Sequence, residues 1–171
     1  MRWMSASPLR SLCVAVAMAG SAISPAFAAS DPCMKPSEKI AFDIARLKSE
    51  LMVTAISCQV QSSYNDFVAR FHADLISEEK ALNSYFGRTS GRSAQKAHDD
   101  YITLLANSQS DDGLQQGTGF CDNHKQLFSE VLSLKDSKSL DDYAAAQPFA
   151  QAIAVVVCPD TGTKVKTAAA K

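Results

Sequence analysis

The sequence lacks the short motifs by which most enzyme classes are read. It holds no G-x-S-x-G, which excludes the nucleophile elbow of a serine hydrolase, and no cysteine and histidine spaced as a nucleophilic pair. Neither H-x-x-x-H nor C-x-x-C occurs, so the common zinc patterns are missing, and without C-x-x-C-H there is no covalent haem site. Residues Gly87 to Arg92 resemble a phosphate loop only superficially, because no Lys-Ser/Thr pair follows the second glycine. They read as an exposed turn. The acidic pairs Asp99-Asp100, Asp111-Asp112 and Asp141-Asp142 do not have EF-hand spacing and read as solvated helix ends and loop. There is no basic stripe, no internal repeat and almost no alternation of apolar and polar residues, which argues against nucleic-acid binding and against an all-β fold.

What is present begins with a leader. Arg2 and Arg10 make a charged start, Leu12 to Ala22 an apolar run, and Ser24-Pro25 a break before Ala26-Phe27-Ala28, an A-x-A cleavage site. Residues 1–28 therefore read as a signal peptide, and cutting after Ala28 leaves 143 of the 171 residues, enough for one domain with its own core. The leader takes two of the 17 basic residues and none of the 18 acidic ones, so the mature chain is near −3 and suits neither nucleic acid nor anionic lipid. No later apolar run approaches the roughly 20 residues of a membrane helix. The expectation is a protein of the periplasm or the secreted fraction, not embedded in a membrane.

Cys13 lies inside the leader, and Ser11-Leu12-Cys13 lacks the small residues of a lipoprotein site. Cys33, Cys58, Cys121 and Cys158 remain. In an oxidising compartment an even set without metal spacing reads as two disulfides rather than a zinc site or a reactive thiol. Four cysteines allow three connectivities, and their spacing does not choose among them.

Helical periodicity dominates the rest. After an extended lead, Ser37 is a candidate N-cap. Ile40, Ile44, Leu47, Leu51, Ala55 and Cys58 then recur at helical spacing, and Met52, Val53 and Ile56 widen the apolar face until the helix reads as central. A second pattern starts near Ser63 with Tyr64, Phe67, Phe71 and Leu75 and continues through Leu82, Tyr85 and Phe86. It weakens at Ser77-Glu78-Glu79, where a kink is expected, and Gly87 reads as its C′ residue. A third helix is expected over about Ser93 to Ala106, a polar loop over Asn107 to Gly119, and a fourth helix over about Phe120 to Leu134. Ser139 and Asp142 suggest a capping box for a short helix through Ala146, stopped by Pro148. Alanines and valines leave residues 150–157 undecided, and 159–171 read as a disordered tail.

The fold expected is all-α: a disulfide-stapled bundle of four main helices plus a short C-terminal helix, spanning 29–158. If the four helices alternate up and down, Cys58 comes near Cys121 and Cys33 is left with Cys158. A break in the second helix would reverse that parity.

Three residues stand out as candidate ligand or metal contacts: His124, His98 and Phe71. His124 falls on the inner face of the fourth helix, where an imidazole serves as a ligand or base, or else donates to a backbone carbonyl and packs. His98 is in line with Ile102 and Leu105 on the third helix, and His72 flanks the aromatic stripe. Tyr64, Phe67, Phe71, Tyr85 and Phe86 would either pack a core or line an apolar pocket. A hydrolase would need a converging pair such as His124 with an aspartate, and nothing in the sequence points to one.

Leu51-Met52-Val53-Thr54-Ala55 leading to Cys58, then Tyr64-Asn65-x-Phe67, Tyr85-Phe86 and Phe120-Cys121, resembles a group of small exported proteins of Gram-negative bacteria, over about residues 40–132. The resemblance implies a periplasmic setting and a Cys58–Cys121 disulfide, and it carries no activity. The function expected is non-catalytic, without a cofactor: binding of an envelope protein or cell-wall component through the Asn107–Gly119 loop and the Gly87–Arg92 turn. The alternative is a carrier or sensor of a small apolar ligand or metal within the bundle.

Overall fold

The helix with the widest apolar face organises the rest. α1 (Pro36–Ser57) buries Phe42, Ile44, Leu47 and Leu51 on different sides and packs against most of the other helices. Pro36 occupies the first helical turn, where its missing N–H costs nothing. The Glu38 carboxylate accepts the Lys35 N–H at 2.7 Å. The helix therefore starts at Lys35 and not at Ser37. The computed structural model describes residues 33–154 and 156–159, so the leader at 1–28 and the tail from residue 160 lie outside the described residues.

α2 (Gln61–Arg70), α3 (His72–Ser90), α4 (Ala94–Gln116), α5 (Phe120–His124), α6 (Gln126–Ser133) and α7 (Ser137–Ala146) follow, with 3₁₀ turns at Gly91–Ser93 and Gly117–Gly119. The fold is all-α and carries two disulfides, Cys33–Cys158 and Cys58–Cys121. Among the described residues the sole β feature is an isolated bridge between Met34 and Val157. No helix among them is long and apolar enough to cross a membrane.

Several boundaries differ from those expected. The second helical segment breaks at Phe71, not at Ser77-Glu78-Glu79, which stays helical. The break has a packing cause. Phe67 and Phe71 belong to an aliphatic core with Ile44, Leu51, Phe128 and Leu140, whereas Leu82, Tyr85 and Phe86 belong to an aromatic core with Phe42 and Tyr101. A straight helix would serve one core only. The turn at Phe71 lets α2 pack on α6 while α3 packs on α4. α3 also runs past Gly87 to Ser90 and ends at Gly91, whose φ of 52° suits glycine.

The expected loop at Asn107–Gly119 is helical as far as Gln116. Its Ser, Asp, Asn and Gln residues lack periodicity because this half of α4 buries little besides Gln109, but such residues cost a helix only tenths of a kcal/mol each. Gln109 is fully buried and donates to the Arg46 carbonyl at 2.9 Å. The fourth expected helix is interrupted at Lys125. The last begins at Asp136: its carboxylate accepts the Ser139 N–H at 2.9 Å, and Ser139 Oγ in turn accepts the Asp136 N–H at 3.1 Å.

Of residues 150–157, those described (150–154 and 156–157) form no helix. The chain instead returns to the start of α1, where Met34 N–H donates to Val156 O at 2.7 Å and Cys158 N–H donates to Met34 O at 2.8 Å. Arg46 guides the return by donating to Ala144 O at 3.0 Å and Phe149 O at 3.2 Å, and Tyr101 OH donates to Gln151 Oε1 at 3.0 Å. The break at Phe71 does not reverse the bundle's parity. α3 still ends beside the start of α1, as Arg88 shows by bonding Glu38 at 2.6 Å and the Cys33 carbonyl at 2.9 Å. α4 then runs back towards the far end of α1 and brings Cys121 to Cys58.

Candidate functional site

Between the two cores α1 presents one stripe: Ala41, Ile44, Ala45, Lys48, Ser49 and Met52, at i, i+3, i+4, i+7, i+8 and i+11. α3 faces it with Leu75, Glu78, Glu79 and Leu82, again at single-turn spacing. The two alanines are too small to fill the gap. A cleft of about 190 Å³ remains, closed at its sides by Tyr64 of α2 and Ile102 of α4. An apolar cavity of roughly 150 Å³ holds a benzene, so the space suits a small organic molecule. The cleft adjoins an outer groove of about 550 Å³, and Lys48, Tyr64, Leu75 and Glu79 line both.

The polar groups of the cleft are few. Ser49 is 6 % exposed, and its Oγ has no hydrogen-bond partner. Burial raises the Glu78 carboxyl to about 7, with Asp141 and Asp74 adding to the effect, and burial also raises the Tyr64 hydroxyl. Glu79 Oε1 lies 3.0 Å from His98 Nε2 and accepts from the Asn83 amide at 3.3 Å.

The three residues singled out from sequence do not converge. Phe71 is packed in the aliphatic core, 5.7 Å from the Phe67 ring, with the Arg70 guanidinium over its face. His98 stands on the edge of the aromatic core, perpendicular to Phe86 at 5.6 Å, and meets the cleft residue Glu79. His124 stacks on Phe120 at 4.2 Å and meets α1 at Glu50, not at an aspartate. Its Nδ1 lies 3.0 Å from the Phe120 carbonyl, which only accepts, so Nδ1 carries the hydrogen. The other ring nitrogen, Nε2, faces Glu50 Oε1 at 3.4 Å. Burial raises that carboxyl to about 7, with a further push from Asp112. Among the described residues no group of three or more His, Cys, Asp or Glu side chains is placed to hold a metal ion.

Of the aromatic stripe only Tyr64 lines the cleft, and the other rings pack the cores. Ser49, Glu78 and Glu79 went unrecognised in the sequence. Their signal was the interruption of the second apolar stripe at Ser77-Glu78-Glu79, which marks a polar mouth and not a kink. The Gly87–Arg92 stretch is no anion loop either: Gly87 lies inside α3, and Arg88 turns to Glu38. No family model matches the chain, and no curated protein or solved structure is significantly similar to it.

Proposed function

We propose that this is an exported, non-catalytic protein of the periplasm or secreted fraction that carries or senses a small apolar molecule in the cleft between α1 and α3. One observation carries the reading: two well-packed cores on either side of α1 leave between them an apolar space that Ala41 and Ala45 keep open, next to a buried Ser49 hydroxyl without a partner. Packed interiors leave few voids of that size, and ligand sites are concave, mostly apolar and furnished with a few polar groups. The A-x-A leader and the two disulfides support an oxidising compartment.

Native mass spectrometry of the mature protein, isolated from its own envelope fraction, tests this reading. An excess mass of a small molecule, lost on denaturation and absent from Ile102→Trp, is the expected result. A bare protein that also fails to take up 1-octanol would end it. Docking of an envelope protein or cell-wall component is the second reading, favoured by Leu114, which stands 77 % exposed on the last turns of α4.

A further inference from the structure

We propose that the molecule taken by this cleft carries an ammonium group on its apolar body, held by Glu78 at the mouth and by the Ser49 hydroxyl within. The inference rests on the carrier reading above and adds the charge of the ligand. Glu78 lines the cleft, yet among the described residues its carboxylate has neither a hydrogen bond nor an ion pair. Its charged neighbours are mostly of its own sign, Asp74 on α3 and Asp141 on α7, with Glu79 beside it. Among the described residues Lys48 is the one cation lining the cleft. Lys48 forms no ion pair with Glu78, so a partly desolvated carboxylate with acids around it is left without a paired counter-charge, and a cationic ligand supplies one.

Ser49 is an independent observation. On a helix, a serine hydroxyl commonly returns to the carbonyl four residues back, but Ser49 Oγ is buried without any partner in the wall of the same cleft. It can accept an N–H from a ligand head. The three head-group chemistries separate cleanly. An alcohol would satisfy Ser49 and leave Glu78 as it is. A carboxylate would gain Lys48 but face Glu78, Glu79, Asp74 and Asp141. An ammonium offers N–H donors to a hydroxyl or a carboxylate and alone of the three brings Glu78 a counter-charge. Since Glu78 ionises near pH 7, binding of an amine should strengthen as the pH rises through that value, while binding of an alcohol should not.

The test is calorimetric titration of the disulfide-bonded protein with octylamine, 1-octanol and octanoate at pH 6 and pH 8. The expected result at pH 8 is octylamine about tenfold tighter than 1-octanol, the gap narrowing at pH 6. Glu78→Gln, at a partly exposed position, should remove the amine's advantage at pH 8 and bring amine and alcohol to within about twofold of each other. Equal binding of all three, or octanoate binding best through Lys48, overturns the ammonium assignment and leaves the apolar carrier reading standing. An amine preference that survives in Glu78→Gln overturns the role of that carboxylate. Failure of all three to bind ends the carrier reading itself.

Discussion

Glu38 and Glu50 sit on the same helix, are buried to 3 % and 4 % exposure, and meet opposite electrostatic fates. At the start of α1, Glu38 accepts from the Arg88 guanidinium and from the Lys35 N–H, so its charge is compensated on two sides. Towards the far end, Glu50 meets a single histidine nitrogen and an unfavourable Asp112, and its carboxyl rises to about 7. Burial alone therefore does not decide whether a carboxylate is charged. What matters as well is whether a neighbouring helix brings a permanent cation, as α3 does with Arg88 at one pole, whereas α5 brings an imidazole at the other.

The largest effects should come from the staples, and they should be nearly the same at both poles. The disulfides close loops of 63 and 125 residues, and chain entropy assigns each about 4 kcal/mol, differing by roughly half a kcal/mol because the dependence on length is logarithmic. Replacing either pair with alanine should lower the urea midpoint by a similar amount. A large asymmetry would mean that one pole relies on its covalent link far more than the other. Arg88→Ala comes next. It leaves Glu38 buried without its cation and should cost about 3 kcal/mol by urea unfolding, at the lower end for a buried pair because Arg88 is a quarter exposed. Adding Glu38→Gln should recover part of the loss, since removing both charges costs less than stranding one. An Arg88→Ala protein as stable as the parent would remove the contrast.

The same substitution at the other pole should have the opposite sign. The folded value for Glu50, about 7, lies above the ordinary 4.5, so the folded state holds a proton the unfolded chain releases. The stability this contributes is complete below about pH 4.5 and is lost as the pH rises through 7. At one pKa unit per 1.36 kcal/mol the swing is on the order of 3 kcal/mol. Glu50→Gln resembles the protonated carboxyl. It should match the parent at pH 4.5 and exceed it by about 3 kcal/mol at pH 8, in urea titrations across that range. Glu38→Gln should be destabilising at pH 8. A parent whose stability is flat from pH 4.5 to 8 would mean that Glu50 is ionised and paired with an imidazolium at His124.

The parts of the fold that could be read from sequence are those where side chains repeat on an interface. α1 was recognisable as central because its apolar residues cover most of its circumference, and the up-down parity of long helices brings Cys58 to Cys121 and Cys33 to Cys158. The second half of α4 was hidden because it packs through one buried glutamine and a glycine, so no stripe marks it. The cleft was hidden for a related reason. Ala41 and Ala45 read as ordinary core residues, and only the facing helix shows that their smallness leaves space. The buried partner of His124 was beyond reach too: Glu50 lies 74 positions away, and local pattern cannot report such a contact.

Gly113 offers the smallest and most discriminating change, because it touches the weaker pole without touching Glu50. In a helix interior glycine is worth about 1 kcal/mol less than alanine, so propensity alone makes Gly113→Ala stabilising. A Cβ there, however, would stand 3.2 Å from the Phe120 ring. That ring is 5 % exposed and is stacked on His124 at 4.2 Å, and the Phe120 carbonyl holds His124 Nδ1. It has little room to yield, and overpacking a core site costs about 1–3 kcal/mol. The two terms nearly offset, and the net loss should be about 1 kcal/mol or less by thermal unfolding at pH 5. The informative readout is its pH dependence. If the displaced ring carries His124 away from Glu50, the carboxyl loses its imidazole neighbour while remaining buried, and the fall in stability between pH 4.5 and 7 should change in steepness. A Gly113→Ala protein with the parent's pH profile and a higher midpoint would show that Phe120 moves freely, and that α5 does not fix the geometry of the Glu50 pole.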